Sequence, residues 1–332
     1  MKKSKIIIPA LGILVLSTAA SITGTVAWFS ANSNVTVDGM KVHTSVSSNL
    51  LISDTYTDAS FGAALDQGRE AFLKPASTIN GVSFFYTEAS NVDAAGNVKQ
   101  LNYIAYSEAT EQAHTAAGKT AYCADFQVKN GVETPYSTSN VAYAYVDYSF
   151  YLKATNSEDA VADIRMTKCN LLYGSGTNED PYAALAGDSA AGKAWRVAVF
   201  AKDLGSSPLA APTTDEVAAG NNKTILALSG AANFVAGNAA ATAYTAEPYA
   251  AGTRGTVINP GTAAKTKTSL AVGATLYQKV TVRLWLEGED TTCTNDTYAK
   301  LTKEWKLDLR FDLVKSSVAE SGVTTIGSAV AA

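Results

Sequence analysis

The sequence predicts an all-β fold, an antiparallel β-sandwich of jelly-roll-like type that carries a large insertion rich in Ala, Gly and Thr. Three observations support this prediction. Apolar and polar residues alternate over several segments, turns rich in Gly, Asn and Ser separate these segments, and strands do not alternate regularly with helices. With 332 residues, of which 47% are hydrophobic and 17% charged, the chain can bury a sizeable core.

The clearest strand pattern covers residues 304–314. Every second side chain there is apolar, and the residues between them are charged. This period of two places one face of a strand against a core and the other in water. The apolar residues of the pattern are Trp305, Leu307, Leu309, Phe311 and Leu313.

Two further segments have the same alternation. Residues 277–287 form a predicted strand that ends in an acidic turn at 287–290. Residues 141–153 form another, and its polar face carries Asp147 and the tyrosines Tyr143, Tyr145 and Tyr151. Aromatic side chains on such a face pair across strands, lie under an insertion or stack on sugar rings.

The remaining predicted elements are shorter. We expect two short helices, at residues 60–72 with Ser60 as the N-cap and at residues 180–185. The other strands are predicted at residues 34–43 with a bulge at Gly39, 82–87, 101–106, 164–172 and 195–201.

The chain divides into three predicted parts. Residues 1–27 are typical of an export signal, because Lys2, Lys3 and Lys5 precede an apolar run over residues 6–20. Small residues favour cleavage, either after Ala27 and before Trp28 or earlier, after the Thr-Ala-Ala at residues 18–20. The same segment is also long enough to stay as an uncleaved membrane anchor. Residues 28–315 form the sandwich, including the insertion at about 206–269, and residues 316–332 form a flexible tail.

Charge and motifs exclude several functions. The formal net charge is −4 and becomes −7 if the three lysines of the signal are removed, so neither nucleic acid nor an anionic membrane is an expected partner. The only histidines are His43 and His114, and the HExxH, GxSxG and GxGxxG motifs are absent. We therefore expect a protein that is not an enzyme and has no cofactor.

Two sets of residues leave alternatives open. The turn after residue 286 carries four acids that are weak candidates for calcium ligands, although solvated turn residues are the favoured interpretation. These acids are Glu287, Glu289, Asp290 and Asp296. The three cysteines, Cys123, Cys169 and Cys293, allow at most one disulfide within the chain, and the sequence does not choose between a pair and free thiols.

Two segments resemble the camelysin/TasA-like proteins of monoderm bacteria. The first is Gly-Thr-Val-Ala-Trp-Phe-Ser at residues 24–30, which follows the apolar signal, and the second is Val-Arg-Leu-Trp-Leu-Glu-Gly-Glu-Asp at residues 282–290 with Cys293 and the last strand behind it. The resemblance implies a jelly-roll domain that is processed by a SipW-type signal peptidase and polymerises by donating its N-terminal strand to the next subunit. It covers under a fifth of the chain, and no protease motif is carried over with it.

Cleavage near Ala27 would release a strand that is able to pair with another sheet. Its candidate donor residues are Trp28, Phe29, Val35 and Val37, and the alternative is that this strand folds back into its own sheet. We expect a secreted, cell-surface-associated structural protein of the surface or biofilm matrix, with itself or related subunits as partners and no stable membrane span after cleavage. The alternative function is a secreted carbohydrate-binding sandwich with a polysaccharide partner.

Overall fold

A computed structural model confirms the all-β sandwich. The structure describes residues 35–44, 49–73, 75, 77–78, 81, 84–86, 102–104, 142–143, 145–175, 178–181, 193–207, 224–227, 264–288, 290, 293 and 304–318. These residues form fifteen strands and one short 3₁₀ helix, Asp58–Ser60. The signal segment and its cleavage region at Ala27 and Trp28 lie outside the described residues.

The predicted strand segments all contain strands, and the structure adds further strands that were not predicted. All eight segments that the alternation assigned to strands contain one. Their bounds are β1 (Val35–Thr44), β2 (Leu50–Ser53), β3 (Ala64–Leu73), β4 (Ser77–Thr78), β5 (Phe84–Tyr86), β6 (Asn102–Ile104), β7 (Ala142–Tyr143), β8 (Tyr145–Thr155), β9 (Ala162–Ser175), β10 (Asn178–Pro181), β11 (Trp195–Gly205), β12 (Thr224–Ala227), β13 (Lys265–Leu270), β14 (Thr275–Leu286) and β15 (Glu304–Lys315).

Two sheets pack face to face around the core. A seven-stranded sheet has the order β10-β9-β15-β1-β3-β7 with β13 also on β9, and a five-stranded sheet has the order β12-β11-β14-β8-β2. Phe150 of one sheet contacts Phe311 of the other with ring centroids 5.8 Å apart, and Trp195 contacts Trp305 at 5.1 Å. The jelly-roll-like connectivity stays a prediction.

Not all pairing is antiparallel. β1 lies between β15 and β3, parallel to β15 and antiparallel to β3, and β3 pairs with β7 in parallel. The β1–β15 ladder joins the first and last described strands of the chain. Nothing local in the sequence specifies such a long-range parallel pair.

The predicted bulge in β1 is confirmed. Pairing shifts between Val37 and Met40 on both neighbouring strands, and Gly39 between them has a φ of 112°. A residue with a side chain rarely adopts this φ, whereas glycine adopts it without steric cost. The bulge lets Val37, Met40 and Val42 all point into the core.

A third, three-stranded sheet of β4, β5 and β6, which we call the third layer, was not predicted. Gly81, between β4 and β5, lies against the outer face of the five-stranded sheet, where a Cβ at this position would be 3.1 Å from Ile225 Cδ1. This face is therefore covered rather than solvated over much of its area. The alternation in β8 placed Tyr145 and Asp147 on a polar outer face, yet they are 0% and 1% exposed.

The predicted helix over residues 60–72 is wrong. Ser60 ends the 3₁₀ helix, and residues 64–73 form β3, which pairs with β1 from Val35 to His43. Tertiary pairing therefore overrides a helix-compatible local pattern. The second predicted helix is also wrong at its start, because Asp180 and Pro181 belong to β10, and residues 182–185 lie outside the described part of the chain.

The described parts of the insertion and the tail belong to the sandwich. β12 lies inside the range 206–269 and forms an edge of the five-stranded sheet. β13 begins inside this range, ends at Leu270 and pairs with β9. In the predicted flexible tail, Ser316 donates its backbone N–H to Val161 and its hydroxyl to Asp163. Residues 319–332 lie outside the described part.

Candidate functional site

The strongest candidate for a functional site is the position of β1 in the seven-stranded sheet. Val37 and Val42 are fully buried there, and Met40 is 1% exposed. On the parallel side they stand opposite the core-facing residues of β15, with Val37 beside Trp305 and Val42 beside Leu309. β1 thus lies between β15 and β3 and pairs with both through main-chain hydrogen bonds. We call this position between β15 and β3 the β1 slot.

The solvent face of this slot is held by charges. His43 of β1 has its Nε2 3.9 Å from Asp308 of β15, and Lys168 of β9 forms a hydrogen bond with the same carboxylate. His43 is half exposed, with 49% of its side chain accessible. This is the position of a surface side chain.

The predicted donor residues are only partly described. Val37 lies in the core of its own chain, and Val35 belongs to β1 opposite Leu73. Trp28 and Phe29 lie outside the described residues. In the single chain, β1 therefore completes its own sheet, which is the arrangement that the sequence left as the alternative to donation.

The predicted calcium turn holds buried acids rather than solvated ones. Asp290 is 4% exposed and accepts a hydrogen bond from Arg196 Nη2 at 2.9 Å, and Glu287, which is 0% exposed, accepts one from Trp285 Nε1 at 3.2 Å. An arginine already neutralises Asp290, so this carboxylate is a poor ligand for a cation. Glu289 and Asp296 lie outside the described residues.

A second buried ion pair ties the third layer to the five-stranded sheet. Arg283 Nε and Nη2 each donate to one oxygen of Asp147 at 2.7 Å, and Arg283 Nη1 donates to the Gly81 carbonyl at 2.9 Å. The guanidinium carbon lies 3.8 Å from the centre of the Tyr145 ring. This bidentate geometry compensates for the removal of both charges from water.

The tyrosines of the predicted carbohydrate face have different positions. Tyr145 is buried against the guanidinium of Arg283, and the side chain of Tyr143 is not described. Tyr151 is half-buried and belongs to an aromatic cluster, whose centroid distances are 5.1 Å for Tyr56–Tyr151, 5.9 Å for Tyr56–Tyr277 and 5.7 Å for Phe61–Tyr277. Sequence reasoning missed Tyr56 and Phe61, because the loop that carries them has no periodic pattern.

Charges at the rim hold this aromatic cluster together. Asp58 accepts hydrogen bonds from Lys153 Nζ at 2.6 Å and from the Tyr277 hydroxyl at 2.8 Å. The Lys153 bond first and the Tyr277 bond second lower the pKa of Asp58, and the bond to Asp58 raises the pKa of Lys153. Burial, and then its bond to Asp58, raises the pKa of Tyr277. At neutral pH Asp58 and Lys153 therefore stay charged, and the Tyr277 hydroxyl stays protonated and neutral.

A further buried carboxylate anchors the C-terminal end of β15. Asp163 accepts hydrogen bonds from the Ser316 hydroxyl at 2.5 Å, the Ser269 N–H at 3.0 Å and Arg165 Nη2 at 2.9 Å. Burial raises its pKa, but these donors outweigh burial and lower the pKa to about 2. Ser269 has a φ of 54°, an uncommon value for a residue with a side chain, and its bond to Asp163 stabilises this conformation.

The two cysteines in the described residues are buried, and no disulfide joins them. Cys169 and Cys293 both belong to the core. Burial raises the pKa of Cys169 to about 12, so this thiol is not a nucleophile at neutral pH. Cys123 lies outside the described part of the chain.

The described residues contain no group of three or more His, Cys, Asp or Glu side chains placed to hold a metal ion. Within the same residues, no helix has the length and apolar character needed to cross a bilayer. No protein-family model, curated protein or solved structure matches the chain. The candidate functional features are therefore the position of β1 and the outer face of the five-stranded sheet.

Proposed function

We propose that this chain is an exported, non-enzymatic structural subunit of the cell surface or biofilm matrix that assembles by exchange of its N-terminal strand. Processing by a SipW-type signal peptidase near Ala27 and Trp28 would release the chain outside the cell. The observation that carries the proposal is the position of β1, a strand near the N-terminus that pairs on both sides inside a sheet.

Strand exchange follows from the pairing of β1. Removal of β1 would leave β15 and β3 with unpaired backbone edges and would expose the apolar side chains behind Val37, Met40 and Val42. An identical β1 from a second chain restores the same hydrogen bonds and the same core contacts. The exchanged assembly therefore has nearly the same hydrogen bonds and core contacts as the single chain.

Assembly through β1 gives an open chain of subunits. If each molecule gives β1 to one neighbour and receives β1 from another, the contact is heterologous and does not close unless the rotation between subunits forms a ring. Such a contact generates a fibre. Related subunits with a similar first strand would enter the same slot.

A mixed-disulfide experiment tests exchange directly. Lys41 of β1 stands beside Asp308 of β15 in the parallel register, on the solvent face. Adjacent strand positions have a Cα separation compatible with a disulfide. One protein carries Lys41→Cys and a second carries Asp308→Cys, and the two are mixed, allowed to assemble and oxidised.

The proposal predicts a mixed disulfide dimer, because the Lys41→Cys strand of one chain then lies in the sheet of the other. Asp312→Cys is the matched control, since Asp312 lies on the same strand and pairs with Arg165 of β9 instead of β1. No mixed dimer from assembled protein, or equal dimer yields with the control, would refute exchange through this slot.

A second function, carbohydrate binding, is favoured by the aromatic cluster of Tyr56, Phe61, Tyr151 and Tyr277 on the five-stranded sheet. A polysaccharide partner is compatible with a matrix role. A glycan array with the secreted protein tests it, and an array without any bound polysaccharide would remove this function while leaving strand exchange untouched.

A further inference from the structure

The loop between β2 and β3 is held on the outer face of the five-stranded sheet at several points. Its Tyr56 hydroxyl donates to the Ser207 carbonyl at 3.3 Å. Its Asp58 carboxylate binds Lys153 of β8 at 2.6 Å and the Tyr277 hydroxyl of β14 at 2.8 Å. Serine and threonine hydroxyls also bond to one another within the loop. The loop therefore holds its side chains in place in the unliganded chain, which lowers the entropy cost of binding.

Asp58 keeps acceptor capacity in this arrangement. Both of its hydrogen bonds within the described part of the chain go to the same oxygen, Oδ1. The side chain is 59% accessible, so Oδ2 is able to accept a hydrogen bond from a ligand. The bond from Lys153 lowers the pKa of Asp58, so the carboxylate is ionised at neutral pH and acts as an acceptor only.

Two aromatic residues flank this carboxylate in the loop. Tyr56 precedes Asp58 and Phe61 follows it, and both are half-buried, so that part of each is accessible. Both rings pack on Tyr277, with centroid distances of 5.9 and 5.7 Å and interplanar angles of 85° and 71°. Because Tyr277 also binds Asp58, one residue of the sheet positions both rings and the carboxylate.

We propose that these three loop residues, Tyr56, Asp58 and Phe61, form a site for a neutral polysaccharide, with a sugar hydroxyl donating to Asp58 and the pyranose ring against Phe61. We call them the Asp58 site. A hydrogen bond to a charged acceptor is stronger than a neutral one, and an aromatic ring packs on the apolar face of a sugar. A carboxylate attracts hydroxyl donors but repels an ionised sugar acid, so the site favours neutral sugars. The proposal rests on the carbohydrate-binding function above and names its site and ligand class.

Calorimetric titration of the secreted protein tests the ligand class. The probes are dextran and laminarin, which are neutral glucans, and the carboxymethyl derivative of each. We expect at least one neutral glucan to bind, and its carboxymethyl derivative to bind at least about fivefold more weakly. Equal or tighter binding of the derivative would overturn the neutral assignment. If neither glucan binds, the proposal fails, and a glycan array with a bound polysaccharide would still leave the broader carbohydrate function standing.

Two variants test the position of the site. Phe61→Leu keeps the apolar bulk but removes the ring, and Asp58→Asn keeps the shape but removes the charge. We expect each to weaken binding of the neutral glucan at least about fivefold, equivalent to about 1 kcal/mol. The urea midpoint of Asp58→Asn should stay close to wild type, because exposed ion pairs contribute little to stability.

Asp159→Asn is the matched control for the charge. Asp159 is also an exposed carboxylate bound to a lysine, but that lysine is Lys315 of the seven-stranded sheet. We expect this variant to bind like the wild-type protein. Wild-type affinity in Phe61→Leu and Asp58→Asn, or an equal loss in Asp159→Asn, would overturn the Asp58 site, while binding by the wild-type protein would keep the carbohydrate function itself.

Discussion

The buried pair of Arg283 and Asp147 gives the sharpest prediction about stability. We expect Arg283→Met to destabilise the protein by about 3–5 kcal/mol, because it leaves the Asp147 carboxylate buried without its charge partner. The structure supports the upper part of this range. The side chains of the pair are 0% and 1% exposed, two bonds of 2.7 Å are lost, and the Gly81 carbonyl also loses a donor.

A double-mutant cycle separates the pair from the loss of side-chain volume. Arg283→Met combined with Asp147→Leu removes both charges, and we expect it to regain most of the lost stability. The assay is urea unfolding followed by tryptophan fluorescence. Lys315→Met is the control, because Lys315 and Asp159 form an exposed pair with 38% and 84% side-chain accessibility, and its midpoint should hardly change. A double variant no more stable than Arg283→Met, or a single variant that behaves like the control, would refute this account.

Three other predictions concern titration, backbone conformation and thiol reactivity. Because the pKa of Asp163 is lowered from 3.8 to about 2, its contribution of about 2 kcal/mol is present above pH 4 and is lost as the pH falls towards 2. Asp163→Asn should flatten that part of the stability profile in urea titrations, and an unchanged profile would contradict it. Gly81→Ala should lower the unfolding midpoint, because Gly81 has a φ of 74° and a new Cβ would lie 3.1 Å from Ile225 Cδ1; a wild-type midpoint would argue against this packing. Cys169 and Cys293 should react with a thiol reagent only after denaturation, and rapid reaction of either in native protein would contradict their burial.

Local periodicity predicted eight strand segments, but it missed others, among them β3, which was predicted as a helix, and it did not give all of the strand partners. β15 and β14 have a strict alternation, and their inward residues are buried as expected except for Leu313, which is only partly buried. The parallel pairing of β1 with β15 joins segments far apart in sequence, and alternation contains no information about such a partner. The bulge at Gly39 was predictable because glycine in a strand marks a position that needs an unusual φ.

The third layer explains most of the errors about exposed side chains. Tyr145 and Asp147 alternate with apolar residues, which is typical of a strand with one face in water. Their burial depends on Gly81 and on Arg283, and neither is near them in sequence. A polar residue on an alternating strand therefore lies on the face opposite the core-facing residues, but that face is not always in contact with solvent.

The acidic turn gave a similar error for an electrostatic reason. Glu287 and Asp290 lie close together in the sequence, which suggested solvated acids or calcium ligands. Asp290 instead pairs with Arg196, 94 positions away, and Glu287 accepts a hydrogen bond from Trp285. The compensating groups for buried charges become visible only when the strands are assembled.

Electron microscopy of a locked variant tests assembly through β1 most directly. Lys41→Cys and Asp308→Cys in one chain, oxidised as a monomer, would fix β1 in its own sheet at their shared register position. The account predicts no fibres from the oxidised variant, fibres after reduction, and fibres from the wild-type protein with or without reductant. Fibres from the oxidised variant, or monomers from the processed wild-type protein at every concentration, would contradict it.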